Sequence, residues 1–93
     1  MEKAEISVHQ WKIYECLLRS KAWMSNKDIA QQTGVSLRRV SFHTNNLVQL
    51  GILDQAEVYP GHRFRFSQQA NKRNTAYLRR LQQAGEIFAT LAH

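Results

Sequence analysis

Apolar residues recur along this chain with two different periods, and the change from one to the other marks where helices give way to strands. Trp11, Ile13, Tyr14, Cys16, Leu17 and Leu18 make a broad apolar face over about three helical turns. Ser7 stands at the N-cap position, Gln10 completes a capping-box pattern, and Ile6 and Trp11 occupy the staple positions, so helix 1 is expected over 7–20. Ala22-Trp23-Met24 is a short apolar bridge with room for a strand of two or three residues. Ser25 and Asp28 repeat the box pattern, and Met24 and Ile29 repeat the staple. Ile29 and Ala30 turn inward, and Gly34, free to take positive φ, ends a second helix expected over 25–34.

Ser36 caps a third helix, expected over 36–50, with Val35 and Val40 as its staple. Val40, then His43 or Thr44, then Leu47, then Leu50 or Val48 hold the buried spacing. Arg38, Arg39, Ser41, Phe42, Asn45, Asn46 and Gln49 collect on the opposite face. Gly51 stops this helix, with Ile52 placed to fold back as in a Schellman cap. Two helices separated by three residues around a glycine cross steeply.

The period then becomes two. Ile52-Leu53 and Val58-Tyr59 precede Pro60-Gly61, a turn signal, and His62-Arg63-Phe64-Arg65-Phe66 alternates strictly. A hairpin is expected over 52–67, with Phe64 and Phe66 toward the core and Arg63 and Arg65 pointing outward. Because an isolated hairpin is marginal in water, it must lie against the helices. The last segment, over 71–91 and beginning at Asn71 or Asn74, carries Tyr77, Leu81, Ala84, Phe88 and Leu91 at alternating spacings of four and three. Such a stripe either closes the core against helix 1 or pairs with its twin. Tyr77, Leu81, Phe88 and Leu91 are the expected homodimer interface. The fold class is mainly α with a small hairpin of two or three strands (α+β).

Composition adds bounds. Ninety-three residues, 43% hydrophobic and 22% charged, suit a single domain over 1–93 with one modest core. No apolar run approaches the roughly 18 residues that span a membrane, and the start, MEKAEIS, lacks the apolar region of a signal peptide. One cysteine forms no internal disulfide, which fits a reducing cytosol, so a cytoplasmic location is expected. The net charge of +6 is concentrated. Residues 36–80 hold Arg38, Arg39, Arg63, Arg65, Lys72, Arg73, Arg79 and Arg80 against only Asp54 and Glu57. Such a field is the footprint of a phosphate-binding surface, the plainer alternative being a solvated basic face that aids solubility.

Catalytic signatures are missing: no paired carboxylates, no Ser/His/Asp set and no glycine-rich phosphate loop, so an enzyme is not expected. Cys16 reads as a small core hydrophobe. His9, His43, His62 and His93 are scattered, without the tight spacing of a metal site, so neither metal nor cofactor is expected.

The order helix, helix, glycine turn, helix, hairpin, helix resembles the winged helix–turn–helix fold of small bacterial transcription regulators. The resemblance rests on Ile29-Ala30, Thr33-Gly34-Val35-Ser36, Val40-Ser41, His43, Leu47 and Gly51-Ile52-Leu53, and covers roughly residues 8–67. It is similar to the ArsR-like pattern V-S-x-H-L-x-x-L-x-x-x-G-L-[IV], which here reads V-S-F-H-T-N-N-L-V-Q-L-G-I-L. Thr44 stands where that pattern has Leu, and the cysteine pairs or His/Asp clusters of its metal-sensing branch are missing. In the family His43 lies half under the helix, as a packed residue.

The resemblance implies a bacterial, plasmid or phage transcription regulator that binds double-stranded DNA sequence-specifically, with helix 3 in the major groove. Ser36, Leu37, Arg38, Arg39, Ser41, Phe42, Asn45 and Asn46 would face the DNA. Arginine spans guanine O6/N7 or clamps a phosphate, and Asn45 matches adenine N6/N7. Phe42 meets a thymine methyl, the wing or a second subunit. Arg63 and Arg65 would sit on flanking phosphates or reach the minor groove. One such module buries little DNA, which favours a homodimer joined through the C-terminal helix. Two other readings stay open: a protein–protein interaction module answering an acidic partner, and an RNA-binding or replication-partition accessory protein.

Overall fold

Three serines open three helices. In the computed structural model, which describes residues 6–58 and 61–91, Ser7 Oγ accepts from Gln10 N at 3.1 Å at the head of α1 (Val8–Ser20). Ser25 Oγ accepts from Asp28 N (3.1 Å) while Ser25 N donates to Asp28 Oδ2 (3.2 Å), the full reciprocal box, at the head of α2 (Asn26–Thr33). Ser36 Oγ accepts from Arg39 N at 3.3 Å and opens α3 (Leu37–Gln49). Each cap satisfies a backbone donor that the first helical turn leaves without a partner. The box expected at Ser7 needs correcting. Gln10 is buried, and its side-chain amide donates to the Tyr77 hydroxyl of the last helix.

The turn between α2 and α3 closes on Gly34 at φ +77°. Thr33 tightens it, its hydroxyl donating to Ile29 O (2.7 Å) and accepting from Val35 N (3.2 Å). At the far end of α3, Gly51 lies at φ +83°. Gly51 N donates to Val48 O and Ile52 N to Leu47 O, both at 3.0 Å, the paired bonds of a Schellman cap. Ile52 is thereby driven into the core.

The chain leaves that cap directly into β1 (Leu53–Val58), antiparallel to β2 (Gly61–Phe66), with Leu53 opposite Phe66 and Gln55 opposite Phe64. Tyr59 and Pro60, where the turn is expected, lie outside the described residues, as does His93. Met24 adds one bridge to the inner strand: Met24 N donates to Phe64 O and Phe64 N to Met24 O, both at 2.8 Å. The expected short strand at residues 22–24 is thus a single bridging residue. It still ties the loop between α1 and α2 to the hairpin and buries Met24 and Phe64 together.

The core is shared by all these elements, with Ile13, Leu17, Ile29, Val40, Leu47, Ile52, Leu53 and Phe64 in one cluster. Between His43 and Thr44, the buried position is Thr44, 1% exposed. Its hydroxyl donates to Asn26 Oδ1 at 2.9 Å, so a hydrogen bond to α2 replaces the apolar contact a leucine would make.

Of the two expected starts of the C-terminal helix, the long helix uses Asn74, and a short helical turn precedes it. The short α4 (Ala70–Arg73) is followed by α5 (Thr75–Leu91). Asn74 sits at φ −155° and ψ 73°, outside helical geometry. Its side chain does two things: Nδ2 donates to Leu50 O (3.2 Å) at the end of α3, and Oδ1 accepts from Tyr77 N (3.1 Å) at the start of α5. From there α5 lies against α1. Leu81 is buried, Tyr77 meets Gln10, and the Phe88 ring centroid is 5.5 Å from that of Trp11.

That contact requires Gly85, where an added Cβ would stand 2.5 Å from Trp11 Nε1. Gly85→Ala should therefore destabilise the protein. Overpacking costs about 1–3 kcal/mol, against a helix-propensity gain of about 1 kcal/mol. Urea denaturation measures the net loss, and Trp11 emission should shift red as α5 is pushed off α1.

Candidate nucleic-acid interface

The rotation of α3 about its own axis decides which side chains it presents. Successive helical residues turn by about 100°. Val40, Thr44 and Leu47 are buried together, so the face opposite them must point to solvent. Arg38, Arg39, Ser41, Phe42, Asn45 and Asn46 are exposed there, and Ser36 and Leu37 are exposed at the start of the helix. Ser36 keeps its hydroxyl proton available, because capping uses only the oxygen as acceptor. The start of α3 thus offers free backbone donors, a hydroxyl and two guanidinium groups in one place, a combination that favours phosphate.

Arg39 is not loose. Its Nη1 lies 3.1 Å from His9 Nδ1, at the start of α1, where only a neutral imidazole nitrogen can accept. The sequence offered no spacing signal for this pair, because thirty residues separate the two and tertiary packing alone brings them together. His43, one turn beyond Arg39, is half-buried, and its Nδ1 has no hydrogen-bond partner. Burial pushes the His43 pKa below the ordinary histidine value, with His9 and Arg39 adding to the shift by repulsion. Its other neighbour is Phe42, whose ring meets it edge-on at 5.3 Å and 72°.

On the wing, Arg63 and Arg65 share β2, alternate with buried Phe64, and are both half-buried. Arg65 sits 4.4 Å from the Trp23 ring centroid, a cation–π contact, and 3.9 Å from Asp54, its cross-strand partner. Arg73 also reaches Asp54, at 3.0 Å. Asp54 therefore offsets part of the positive charge at the wing's base, which leaves Arg63, opposite Ala56, nearer the tip. Trp23 is a contributor the sequence did not reveal. An exposed tryptophan before a strand is a weak hint, and its stacking partner lies on a distant strand.

Three of the expected dimer residues also make contacts within the chain. Leu81 is 0% exposed, and Tyr77 and Phe88 are engaged with Gln10 and Trp11, so these three close this chain's own core. Of the four, Leu91 remains open at 74% exposed, accompanied by Ile87 at 59%, which the stripe had not included. Cys16 is half-buried, with Met24 Sδ 4.0 Å and Gln32 Oε1 3.7 Å away, and burial raises its thiol pKa, which disfavours the reactive thiolate. Among the described residues no three His, Cys, Asp or Glu side chains gather to hold a metal. No described helix is long and apolar enough to cross a membrane.

His43 makes stability depend on pH with a definite sign. A histidine whose folded pKa is lowered contributes fully above its unfolded value, about 6.5, and loses that contribution as pH falls from there through the folded value. The unfolding free energy from urea titrations should therefore drop between pH 7 and pH 5. His43→Gln, which cannot charge, should flatten that slope.

Among solved structures, the ST1889 protein from the thermoacidophilic archaeon Sulfolobus tokodaii superposes with a TM-score of 0.65 at 11% identity, covering 94% of this chain and 84% of that one. Lactococcus lactis ZitR, a zinc-responsive MarR family member, superposes with a TM-score of 0.57 at 13% identity, covering 97% of this chain. A point mutant of Lactococcus lactis ZitR gives 0.60 at 12% identity and 98% coverage. This chain spans 63% of the ZitR chain in both cases. At such identities the likeness is one of fold. No curated protein matches the chain. A family model described as winged helix-turn-helix DNA-binding matches residues 6–54, from the lead into α1 through α3 and into the wing. The chain belongs to the winged helix-turn-helix DNA-binding family.

Proposed function

We propose that this protein is a sequence-specific regulator of transcription, of the small bacterial, plasmid or phage kind, acting on double-stranded DNA in the cytoplasm. The observation that carries the reading is the continuous exposed face of α3, from Ser36 to Asn46, set on a helix whose other side is locked in the core. A rigid helix of this length fits the major groove, with its N-terminal half nearest the bases. Arg38, not engaged as Arg39 is, reaches guanine O6/N7, and Asn45 and Asn46 match adenine N6/N7. Arg39, steered by His9, and Ser36 clamp phosphate at the groove edge, and Arg63 holds the flanking backbone. The fold shared with a MarR family member supports the regulatory role.

Two copies bind together, each presenting one α3 to half-sites about one helical turn apart. The surface supporting this is the C-terminal end of α5, where Ile87 and Leu91 stand exposed on either side of Phe88 in the chain.

Selection from a random DNA pool should enrich a motif, and affinity should fall steeply between about 50 and 200 mM salt as counterions return to the phosphates. Arg38→Ala should cost about 1–3 kcal/mol on the selected site and relax preference at one position. Arg63→Ala should weaken all sequences alike and reduce the salt slope by about one unit. Failure to enrich any sequence at low salt would favour a protein partner instead.

Sedimentation at micromolar concentration should find a dimer that Ile87→Asp combined with Leu91→Asp converts to a folded monomer. A species that stays monomeric without DNA in the wild type would sink the dimer.

A further inference from the structure

We infer that Phe42 reads the 5-methyl group of a pyrimidine, so that the protein distinguishes thymine and 5-methylcytosine from uracil and cytosine at one position of each half-site. This rests on the DNA-reading function proposed above and concerns how that same face chooses its sequence.

Phe42 holds the middle of the α3 face. At about 100° per residue, it lies opposite the buried set of Val40, Thr44 and Leu47. Arg38, Arg39, Asn45 and Asn46, one turn before and after it, fall within about 60° to either side. When α3 docks with this face toward DNA, Phe42 leads toward the floor, and Arg38, Asn45 and Asn46 reach base edges to either side of it. No docking of this face avoids it.

The ring is also poorly explained by the protein itself. It is 66% exposed, outside the core and outside the partly buried residues packed against the core. Its ring contact is the edge-on meeting with His43, a neighbour on its own helix. Such contact steadies one edge of the ring and leaves the rest of it to solvent. The wing, considered as a partner for Phe42 from the sequence, is engaged elsewhere, its Arg65 stacked on Trp23.

The chemistry of the groove then narrows the ligand. The floor of the major groove presents hydrogen-bond donors and acceptors at every base pair, and its one apolar group is the methyl on C5 of thymine. A phenyl ring pressed on an amino or carbonyl edge would strip that edge of water and return no hydrogen bond, an unfavourable exchange. Against a methyl it buries apolar surface on both sides. A 5-methylcytosine carries the same methyl at the same place, so the ring accepts it equally. Arg38, four residues earlier on the same face, is placed to take guanine O6/N7 beside that pyrimidine.

The experiment uses the full chain and its selected duplex, with affinity measured by fluorescence anisotropy at fixed salt. Each thymine is replaced in turn by deoxyuridine, which removes the methyl and nothing else. One position per half-site should weaken by about fourfold, the amount expected for one buried methyl. Cytosine there, paired with guanine, should bind more weakly than 5-methylcytosine by a similar factor. Phe42→Ala should bind thymine and uracil duplexes alike, and Phe42→Leu should keep part of the difference. Equal affinity of the wild type for thymine and uracil at every position would overturn the inference, and so would a methyl preference that survives in Phe42→Ala. If Phe42→Ala dissociates the dimer while the methyl preference persists, the ring is a subunit contact and the inference fails. A protein that selects a motif but ignores the methyl loses only this inference, whereas one that enriches no motif loses the DNA-reading function itself.

Discussion

Burial of one side of α3 is the constraint on which the rest of this molecule depends. A helix has a single rotational setting about its axis. Once Val40, Thr44 and Leu47 are in the core, Arg38, Phe42, Asn45 and Asn46 have no freedom to face anywhere but outward. The bond from Thr44 to Asn26 pins that rotation to α2, and the Schellman cap at Gly51 pins the far end while turning the chain into the wing. Asn74 then closes the Leu50 carbonyl at that end. Hydrogen bonds at its start, its middle and its end thus hold this one helix in one orientation.

Charge is arranged around the same helix with less uniformity than a simple count suggests. Residues 36–80 carry the surplus, yet Asp54 draws both Arg65 and Arg73 toward the base of the wing. Exposed ion pairs of this sort contribute little to stability, but they determine where cations point. Positive charge unopposed by Asp54 stands at the start of α3, where Arg38 and Arg39 adjoin the free backbone donors of the first turn, and at Arg63 on β2. His9 adds a further constraint, because it holds Arg39 only while its own Nδ1 is free to accept.

The last helix illustrates how one pattern serves two ends. Its heptad-like spacing is satisfied within the chain from Tyr77 to Phe88: Tyr77, Leu81 and Phe88 cover α1, and Gly85 permits Trp11 to approach. At the C-terminal end of α5, Ile87 and Leu91 stand exposed, as an apolar surface continuous with the packed part. A stripe cannot by itself say how much of it a neighbouring helix will take, because that depends on the length and tilt of the neighbour.

Helix starts and stops were legible in the residues because capping is local chemistry. Ser7, Ser25 and Ser36 cap within three residues of themselves, and Gly34 and Gly51 take positive φ where a side chain would strain. The alternation of Phe64 with Arg63 and Arg65, and the opposition of Val40 and Leu47 to Arg38 and Phe42, follow from period alone. Tertiary structure decided what no period contains. It chose Thr44 over His43 by supplying Asn26, halved the capping box at Ser7 by drawing Gln10 to Tyr77, and divided the C-terminal segment at Asn74 to serve two helix ends. It also set His9 on Arg39 and Trp23 on Arg65. Apart from the local cap of Asn74 on Tyr77 N, each of these is a contact between residues far apart in the chain, where local periodicity and capping patterns carry no information until the core has brought the two together.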